Sequence, residues 1–291
     1  MSAGETIFAH LRLEFSGAAA RLARVPLLGT LLRKIGNRVV PRGSLVWSKI
    51  QLGPARDFWI LLDARSESDL RRGDREPAVQ ELLKQWLAPG QVFYDIGANV
   101  GFFSLAASRQ IGPLGRVFAF EAGPDVAARL RNTIQRNHLS NLTVIEAAVW
   151  SESGTVCFDP SLASPDRMVG HVVEQPAQSE PACVAVPAIS LDDFVRTAPP
   201  PHVVKCDVEG AESKVLQGAT TLFEQVRPRL ICEVHDSANE HFLLHWLEKR
   251  RYSVRWLEPG NEFPRHLSAE PKQMPQCTPE TQPSSSGPVP S

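Results

Sequence analysis

The segment from Tyr94 to Gly101 constrains the fold of this chain more than any other part of its sequence. The apolar residues Val92 to Tyr94 run into Asp95, and a turn that contains Gly97 and Gly101 precedes a helix-like run. Strand, glycine turn and helix form the opening of a βαβ unit that cradles a nucleotide. Glycine lets the backbone approach a ligand where a Cβ atom would clash. The sequence therefore predicts a parallel sheet with a ligand beside its first crossover.

The same turn differs from the dinucleotide fingerprint at one position. The pattern Gly-x-Gly-x-x-Gly requires a glycine where this chain has Asn99, and that central glycine allows close approach of a diphosphate. Asp95 adds a negative charge, which repels a phosphate and attracts a cation. The turn therefore favours a positively charged ligand, and the sulfonium and amino groups of S-adenosylmethionine fit that description. The candidate cofactor-binding residues of this turn are Asp95, Gly97, Ala98, Asn99 and Gly101.

Strand and helix patterns alternate from residue 91 to residue 258. Such alternation predicts an α/β fold with a doubly wound, mostly parallel sheet and helices on both faces. The predicted strands cover 92–95, 116–121, 142–146, 202–207, 229–235 and 252–258, and the predicted helices cover 76–87, 101–110, 124–138, 190–196, 210–225 and 238–250. A hairpin-like pair, 155–158 and 183–187, flanks a long loop at 159–182.

The composition along the chain divides it into four regions. Residues 1–45 are basic and partly amphipathic, which predicts a helical extension that packs on the domain or makes weak contact with a membrane surface. Residues 46–75 form a lead-in with two short strands, and residues 76–263 form the main domain. Residues 264–291 are rich in Pro, Ser and Gln without periodicity, which predicts a disordered tail.

Charge and cysteine content exclude several classes of protein. The formal net charge of −1 gives no indication of a polyanionic partner, so no nucleic acid is expected. The chain has no run of about 18 apolar residues, and its N-terminus lacks the order of a secretory signal. Its five cysteines are odd in number and show no Cys-x-x-Cys spacing. We therefore expect a reduced, cytoplasmic protein without disulfides or a zinc site, of undetermined oligomeric state.

Glu121 stands directly after the second predicted strand of the main domain. A carboxylate at that point accepts hydrogen bonds from both ribose hydroxyls of a nucleoside, and its separation from the glycine turn is close to the usual spacing of about 20 residues. The alternative is a surface glutamate at a strand end. The position of Glu121 after a glycine turn favours the ribose-binding role.

Charged residues interrupt the ends of two neighbouring apolar strands. Lys205, Asp207 and Glu209 belong to the first of these strand ends, and Glu233 and His235 belong to the second. Charges in an apolar strand are costly unless they act chemically or pair. The carboxyl ends of neighbouring parallel strands border the ligand crevice, so we expect these side chains to converge beside the reactive group. The candidate catalytic residues are Lys205, Asp207, Glu209 and His235.

Simpler roles are open to the same side chains. Lys205 and Glu233 would form a buried ion pair between adjacent strands. Glu209 and Glu212 would stabilise a helix N-terminus. A divalent metal among the candidate catalytic residues is a further alternative, but their spacing matches no specific metal motif, so no metal is predicted.

Together these motifs resemble the FkbM family of S-adenosylmethionine-dependent methyltransferases. The resemblance covers about residues 75–258, and its specific part is the run from Asp207 to Glu212. The matching segments are Asp95–Gly101, Phe120-Glu121 with Pro124, Ser190–Asp193, Lys205–Glu212, Val215-Leu216 with Gly218-Ala219, and Glu233–His235. The resemblance implies a class I methyltransferase fold and methyl transfer to an oxygen, often a hydroxyl of a sugar or natural product.

The family pattern also implies how the cofactor is held. The glycine turn lines the methionine part of S-adenosylmethionine, and Glu121 holds the ribose. The family often has Glu-Pro where this chain has the run Glu121 to Pro124, which changes the loop beside the adenine. Relatives in the wider class carry an acid for the adenine amino group where this chain has Ala147-Ala148. This leaves backbone contacts at Ala148 for that role.

Methyl transfer is an in-line displacement, so the enzyme mainly has to align nucleophile, methyl and sulfur. An alcohol is a poor nucleophile while protonated, and a positioned base contributes roughly 10²–10⁴-fold. Asp207 or His235 is the expected base, with Glu209 binding a small-molecule or glycan acceptor. The alternatives are a nicotinamide-dependent oxidoreductase, against which Asn99 argues, and a non-catalytic binding module, against which the charges at the crevice argue.

Overall fold

The computed structural model describes residues 43–63, 66–159, 171–173 and 183–273. Its strands are β1 (Leu45–Lys49), β2 (Trp59–Asp63), β3 (Val92–Ile96), β4 (Arg116–Phe120), β5 (Leu142–Ile145), β6 (Ala148–Val149), β7 (Gly154–Asp159), β8 (His171–Val173), β9 (Val184–Ile189), β10 (Val203–Cys206), β11 (Arg229–Val234), β12 (Tyr252–Trp256) and β13 (Arg265–Pro271). Its helices are α1 (Ser68–Arg72), α2 (Pro77–Trp86), α3 (Phe102–Ile111), α4 (Pro124–Arg136), α5 (Leu191–Phe194), α6 (Glu212–Gln217), α7 (Thr220–Gln225) and α8 (Ser237–Lys249). Within the described ranges, no helix combines the length and apolarity that a bilayer-spanning segment requires.

Seven strands form the central sheet in the order β5-β4-β3-β10-β11-β13-β12. The strands from β5 to β11 are parallel, and β13 is antiparallel to both of its neighbours. All five residues of β3 are buried, and a strand buried along its whole length needs cover on both faces of the sheet. Helices α2 to α4 cover one face and α5 to α8 the other. The doubly wound, mostly parallel α/β sheet that the alternation predicts is confirmed.

The winding of the sheet reverses between β3 and β10. The chain proceeds from β3 to β4 and β5 on one side, and from β10 to β11 on the other. Open α/β sheets bind ligands in the crevice at the carboxyl ends of the strands at such a point. The loops after β3 and β10 touch there, since the amide of Asp207 donates to the carbonyl of Ile96 at 3.0 Å. The fold thus places the glycine turn beside the charged end of β10.

The lead-in contains both of its predicted strands, and they pair antiparallel as β1 and β2. Helix α4 holds this hairpin against the main domain. The side-chain amide of Asn137 accepts from the Trp59 amide at 2.8 Å and donates to the Trp59 carbonyl at 2.6 Å, and Arg129 donates to the Leu61 carbonyl at 3.0 Å. Ile60 and Leu62 are buried in the same core as the helices on that face. The lead-in is therefore continuous with the domain core.

The helix predicted over 210–225 is broken into α6 and α7. An added Cβ on Gly218 would lie 2.1 Å from the Trp150 carbonyl oxygen, so the chain passes that backbone too closely for a side chain. The carboxylate of Asp192 then accepts from the amides of Thr221 and Leu222 at 2.9 and 2.8 Å, which caps the second helix. A tertiary contact therefore divides a segment whose own pattern is continuous.

Strand β13 lies inside the stretch that was expected to be disordered from residue 264. It inserts between β11 and β12, and Leu267 and Ala269 are fully buried. For residues 265–271 the expectation of disorder is wrong, because two strands that precede this segment in the chain supply its hydrogen-bond partners. Residues 274–291 lie outside the described residues, as does almost all of the N-terminal extension with its expected membrane contact.

The predicted hairpin pair is present as β7 and β9, which pair antiparallel in a small four-stranded sheet with β6 and β8 at its edges. Strand β8 falls within the expected long loop, whose residues 160–170 and 174–182 lie outside the described residues. Cys157 and Cys183 form a disulfide, with Cα atoms 5.6 Å apart, so the expectation of no disulfides is wrong. The pairing of β7 with β9 brings the two cysteines within the Cα separation that a disulfide requires, and their spacing along the chain does not reveal this.

Candidate active site

A cavity of about 360 Å³ lies at the carboxyl ends of β3, β4 and β10. Among the described residues, the predicted cofactor-binding residues Gly97, Ala98, Asn99, Glu121 and Ala148 line it. The acidic side chains of its wall are Glu67, Asp69, Glu76, Glu121, Asp207 and Glu209, and the basic ones are Arg75 and Lys205. The wall therefore carries an excess of negative charge.

Asp95 and Gly101 lie behind this wall. Asp95 is 1% exposed, and its Oδ2 accepts from the Ser104 hydroxyl at 2.5 Å. Its Oδ1 is buried without a hydrogen-bond partner among the described residues. Burial raises the pKa of this carboxyl, against the opposing influence of the Lys205 ammonium. Gly101 precedes α3 with a φ of +88°, and a Cβ there would lie 2.2 Å from the Leu130 side chain, so packing accounts for this glycine.

Glu121 is tied directly to the glycine turn. Its Oε2 accepts from the Asn99 amide and its Oε1 from the Gly123 amide, both at 2.8 Å. Asn99 has a φ of +49°, a left-handed conformation that asparagine adopts more readily than most residues. Burial raises the pKa of Glu121 to about 7 although both amides stabilise its charged form. The carboxylate is therefore held rigidly at the mouth of the first crossover.

Lys205 pairs with Asp207 rather than with Glu233. Lys205 is 2% exposed, and its Nζ lies 3.0 Å from Asp207 Oδ2. Burial alone would lower the pKa of the ammonium, but the neighbouring carboxylates of Asp207, Asp95 and Glu76 outweigh it and raise that pKa. Burial would likewise raise the pKa of Asp207, but the Lys205 charge outweighs it and lowers that pKa. Both members of the pair are charged at neutral pH.

His235 contacts the cavity only through other residues. Its Nε2 lies 3.2 Å from Glu209 Oε2, and its Nδ1 lies 2.7 Å from Glu212 Oε1. Burial would lower the pKa of the imidazole, but hydrogen bonds to these two carboxylates raise it to about 11. His235 is therefore protonated at neutral pH and has no free nitrogen with which to accept a proton. Glu212 is the first residue of α6 and is fully buried. Its carboxylate therefore lies both at the start of that helix and against the imidazole of His235.

Glu233 completes the charged group at the strand ends. Its carboxyl is in hydrogen-bonding contact with Asp207. Burial and the charge of Asp207 raise the pKa of Glu233 to about 8, because two close carboxyl groups resist carrying two negative charges. The predicted convergence of Lys205, Asp207, Glu209 and His235 is thus present in space, with Glu233 joined to it.

Sequence reasoning missed four charged residues of the cavity wall, Glu67, Asp69, Arg75 and Glu76. They precede α2 in the chain. Arg75 lies 2.8 Å from Asp69 and 3.1 Å from Glu76. No periodic pattern surrounds these residues, and the folding of the lead-in against the sheet brings them to the site.

The stability of the protein is expected to fall as the pH rises above neutrality. His235 has a folded-state pKa of about 11 against about 6.5 in an unfolded chain. Its contribution to stability is therefore complete below about pH 6.5 and is lost as pH rises through about 11, by at most about 1.4 kcal/mol per pH unit. The raised pKa of Glu233 acts in the same direction up to about pH 8, whereas the contribution of Glu121 is lost mainly between pH 4.5 and about 7.

Denaturant unfolding at pH 7, 8 and 9 measures this dependence. In the variant His235→Gln, the free energy of unfolding should fall less steeply with rising pH than it does in the native chain. The exposed His245 on α8 offers the matched control, since His245→Gln should leave the slope unchanged. Equal slopes in the native chain and His235→Gln would contradict the charged state assigned to His235.

Comparison with known proteins finds sequence similarity to methyltransferases. The family model described as "Methyltransferase FkbM domain" matches residues 95–254. The hexuronic acid methyltransferase AglP of Haloferax volcanii is 30% identical over 200 residues, which cover 68% of this chain and 74% of AglP. The 2-O-methyltransferase NoeI of Sinorhizobium fredii is 27% identical over 152 residues, 48% of this chain and 61% of NoeI. The crystal structure of methyltransferase FkbM from Methylobacillus flagellatus aligns with 72% of this chain and 55% of that chain, at 17% identity and a TM-score of 0.47.

Proposed function

The chain belongs to the FkbM family of methyltransferases, and from this premise we propose that it transfers a methyl group from S-adenosylmethionine to a hydroxyl of a sugar acceptor. The observation that carries the proposal is the Glu121 carboxylate, held by the glycine turn at the wall of the cavity. Two relatives support the acceptor class, since they are named for methylating a hexuronic acid and a 2-hydroxyl.

Glu121 is suited to the ribose of the methyl donor. Each of its oxygens accepts one backbone amide, and a carboxylate oxygen has a second lone pair for a further donor. Two adjacent hydroxyls can therefore bind it together. Their hydrogen bonds would favour the charged form and oppose the effect of burial on its pKa.

The charge of the wall favours S-adenosylmethionine over a nicotinamide dinucleotide. Among the described residues, six acidic side chains line the cavity against two basic ones, and both basic side chains already pair with acids. A diphosphate would meet this negative wall without a free cation among the described residues. A sulfonium and an ammonium would be attracted to it.

Asp207 is the proposed base. It lines the cavity, and Lys205 keeps it charged. The acceptor oxygen forms a bond to the methyl carbon as the carbon–sulfur bond breaks, and the hydroxyl proton passes to Asp207. His235 does not take this proton, because it is already protonated. It holds Glu209 at 3.2 Å, where Glu209 can accept a hydrogen bond from the acceptor.

Calorimetry with S-adenosylhomocysteine, S-adenosylmethionine and NAD tests the donor. We expect heat from the first two and none from NAD. The variant Glu121→Gln should bind the demethylated donor about 10- to 100-fold more weakly, because a hydrogen bond to a charged group contributes about 1.5–3 kcal/mol. The exposed Glu152 supplies the control, Glu152→Gln, which should bind normally. Tight NAD binding without heat from S-adenosylmethionine would refute the proposal.

Methyl transfer itself is measured with radiolabelled donor and a panel of neutral and acidic sugars. Label incorporated at a hydroxyl is the expected result. Donor binding without transfer to any sugar of the panel would favour the non-catalytic alternative.

A further inference from the structure

A second cluster of potential ligand side chains lies on the far side of Glu233 from the residues assigned to methyl transfer. Glu76, Glu233 and His266 present one ligand atom each within 4.8 Å of one another. The His266 Nε2 lies 3.2 Å from Glu76 Oε2 and 3.9 Å from Glu233 Oε1. The reversed strand β13 places His266 beside Glu233, its register partner on β11.

His266 has the arrangement of a metal-binding histidine. It is 6% exposed. Its Nδ1 lies 2.9 Å from Glu258 Oε1, and its amide donates to Glu258 Oε2 at 2.8 Å. Ligating histidines commonly donate their second ring nitrogen to a carboxylate in this way, which fixes the tautomer and directs the other nitrogen at the metal.

Two of the atoms that face the centre of this cluster, one from His266 and one from Glu76, form an ion-pair contact without a well-aligned hydrogen bond. Among the described residues, His266 Nε2 and Glu76 Oε2 are buried without a hydrogen-bond partner, although they approach to 3.2 Å. They face each other without the alignment that a hydrogen bond needs. Buried polar atoms left in this way are uncommon and need an explanation. A shared ligand between them supplies one.

Glu76 is held in place at some conformational cost. Its backbone has a φ of +43°, a left-handed conformation that is strained for a residue with a side chain. Its Oε1 lies 3.1 Å from Arg75 Nε, which leaves Oε2 to face His266. Strain of this kind persists where the surrounding structure enforces a particular side-chain position.

We propose that Glu76, Glu233 and His266 bind a divalent first-row transition-metal ion such as Zn²⁺. One imidazole with two carboxylates suits such an ion better than Mg²⁺ or Ca²⁺, which take oxygen ligands. Tetrahedral ligands at about 2.0–2.2 Å from Zn²⁺ lie about 3.3–3.6 Å from one another. The separation of 3.2 Å is close to that interval, and the separation of 3.9 Å has to shorten by a few tenths of an ångström when the ion binds. Glu76 also lines the cavity, so the ion would lie at its edge.

The neighbouring triad of Asp207, Glu233 and His235 also meets the distance condition for a metal, but its histidine is engaged. Glu212 and Glu209 occupy both ring nitrogens of His235. The Nε2 of His266 also has a carboxylate close by, since Glu76 Oε2 lies at 3.2 Å, but both of these atoms are buried without a hydrogen-bond partner among the described residues, and Glu76 is itself a proposed ligand. This difference favours the site at His266.

Zn²⁺ titration of the chelator-treated full chain, followed by calorimetry in the absence of methyl donor, tests the proposal. We expect one Zn²⁺ per chain. His266→Gln should weaken binding at least 100-fold, and Glu258→Gln should weaken it about 10- to 100-fold through loss of the orienting hydrogen bond. His245→Gln and His235→Gln should bind Zn²⁺ like the native chain. If His266→Gln fails to fold, Glu258→Gln decides the outcome.

Three results would overturn the proposal: no Zn²⁺ binding, unchanged binding in both His266→Gln and Glu258→Gln, or loss of binding in His235→Gln. Any of these results would mean that the cluster is a set of ion pairs around a charged His266. The measurement does not involve S-adenosylmethionine, so its failure leaves the proposed methyl transfer untouched.

Discussion

Replacing Asp207 with Asn is expected to lower kcat for methyl transfer by about 10²–10⁴-fold, the contribution of a positioned base. Asparagine keeps the shape of the side chain but cannot accept the hydroxyl proton. Lys205 retains Asp95 and Glu76 as neighbouring carboxylates, so its charge stays compensated. Affinity for the methyl donor should change little, because Glu121 and the glycine turn hold it. Single-turnover rates together with calorimetry separate the two effects.

The exposed Asp74 provides a control of the same chemistry. It pairs with Arg72 at 2.8 Å on the surface, and Asp74→Asn should keep the native kcat. A native kcat in Asp207→Asn would remove Asp207 from the mechanism.

Replacing Gly97 with Ala is expected to lower the free energy of unfolding by about 2–4 kcal/mol and to abolish donor binding. A Cβ atom on Gly97 would lie 1.7 Å from the carbonyl oxygen of Asp207, so the loops after β3 and β10 would have to separate. Overpacking of this kind typically costs about 1–3 kcal/mol. The φ of +73° at Gly97 adds about 1 kcal/mol for a residue with a side chain.

Gly90 separates the two causes. Its φ is +83°, but an added Cβ would meet no atom within 4 Å. Gly90→Ala should therefore cost about 1 kcal/mol and leave donor binding intact. Denaturant unfolding of both variants measures the difference. Equal losses would mean that backbone conformation, and not the contact with Asp207, makes glycine necessary at position 97.

Local patterns were sufficient for most of the strands and helices. The apolar run before Asp95, the proline at the start of α4 and the Ser190 hydroxyl that accepts from the Asp193 amide at 3.1 Å are all signals within a few residues of one another. Such signals depend on steric and hydrogen-bonding preferences that act along the chain. They correctly predicted the strands of the main sheet other than β13 and the crossover that carries the glycine turn.

Long-range contacts decided what these patterns missed. The break at Gly218 depends on the Trp150 carbonyl, and the order of β13 depends on pairing with β11 and β12. The disulfide joins Cys157 and Cys183, which β7 and β9 bring together. In each case the partner lies far away in sequence, so no local preference of the chain predicts the contact.

The sequence by itself determined the doubly wound sheet, the glycine turn and the identity of the charged residues at the strand ends, because strand and helix periods and glycine's freedom are local properties. Only the tertiary structure decided the charge state and partners of those residues. His235 changed from an expected base to a protonated group because two carboxylates lie within 3.2 Å of its ring nitrogens. A pKa depends on burial and on charges within a few ångströms, and the order of residues along the chain does not specify those distances.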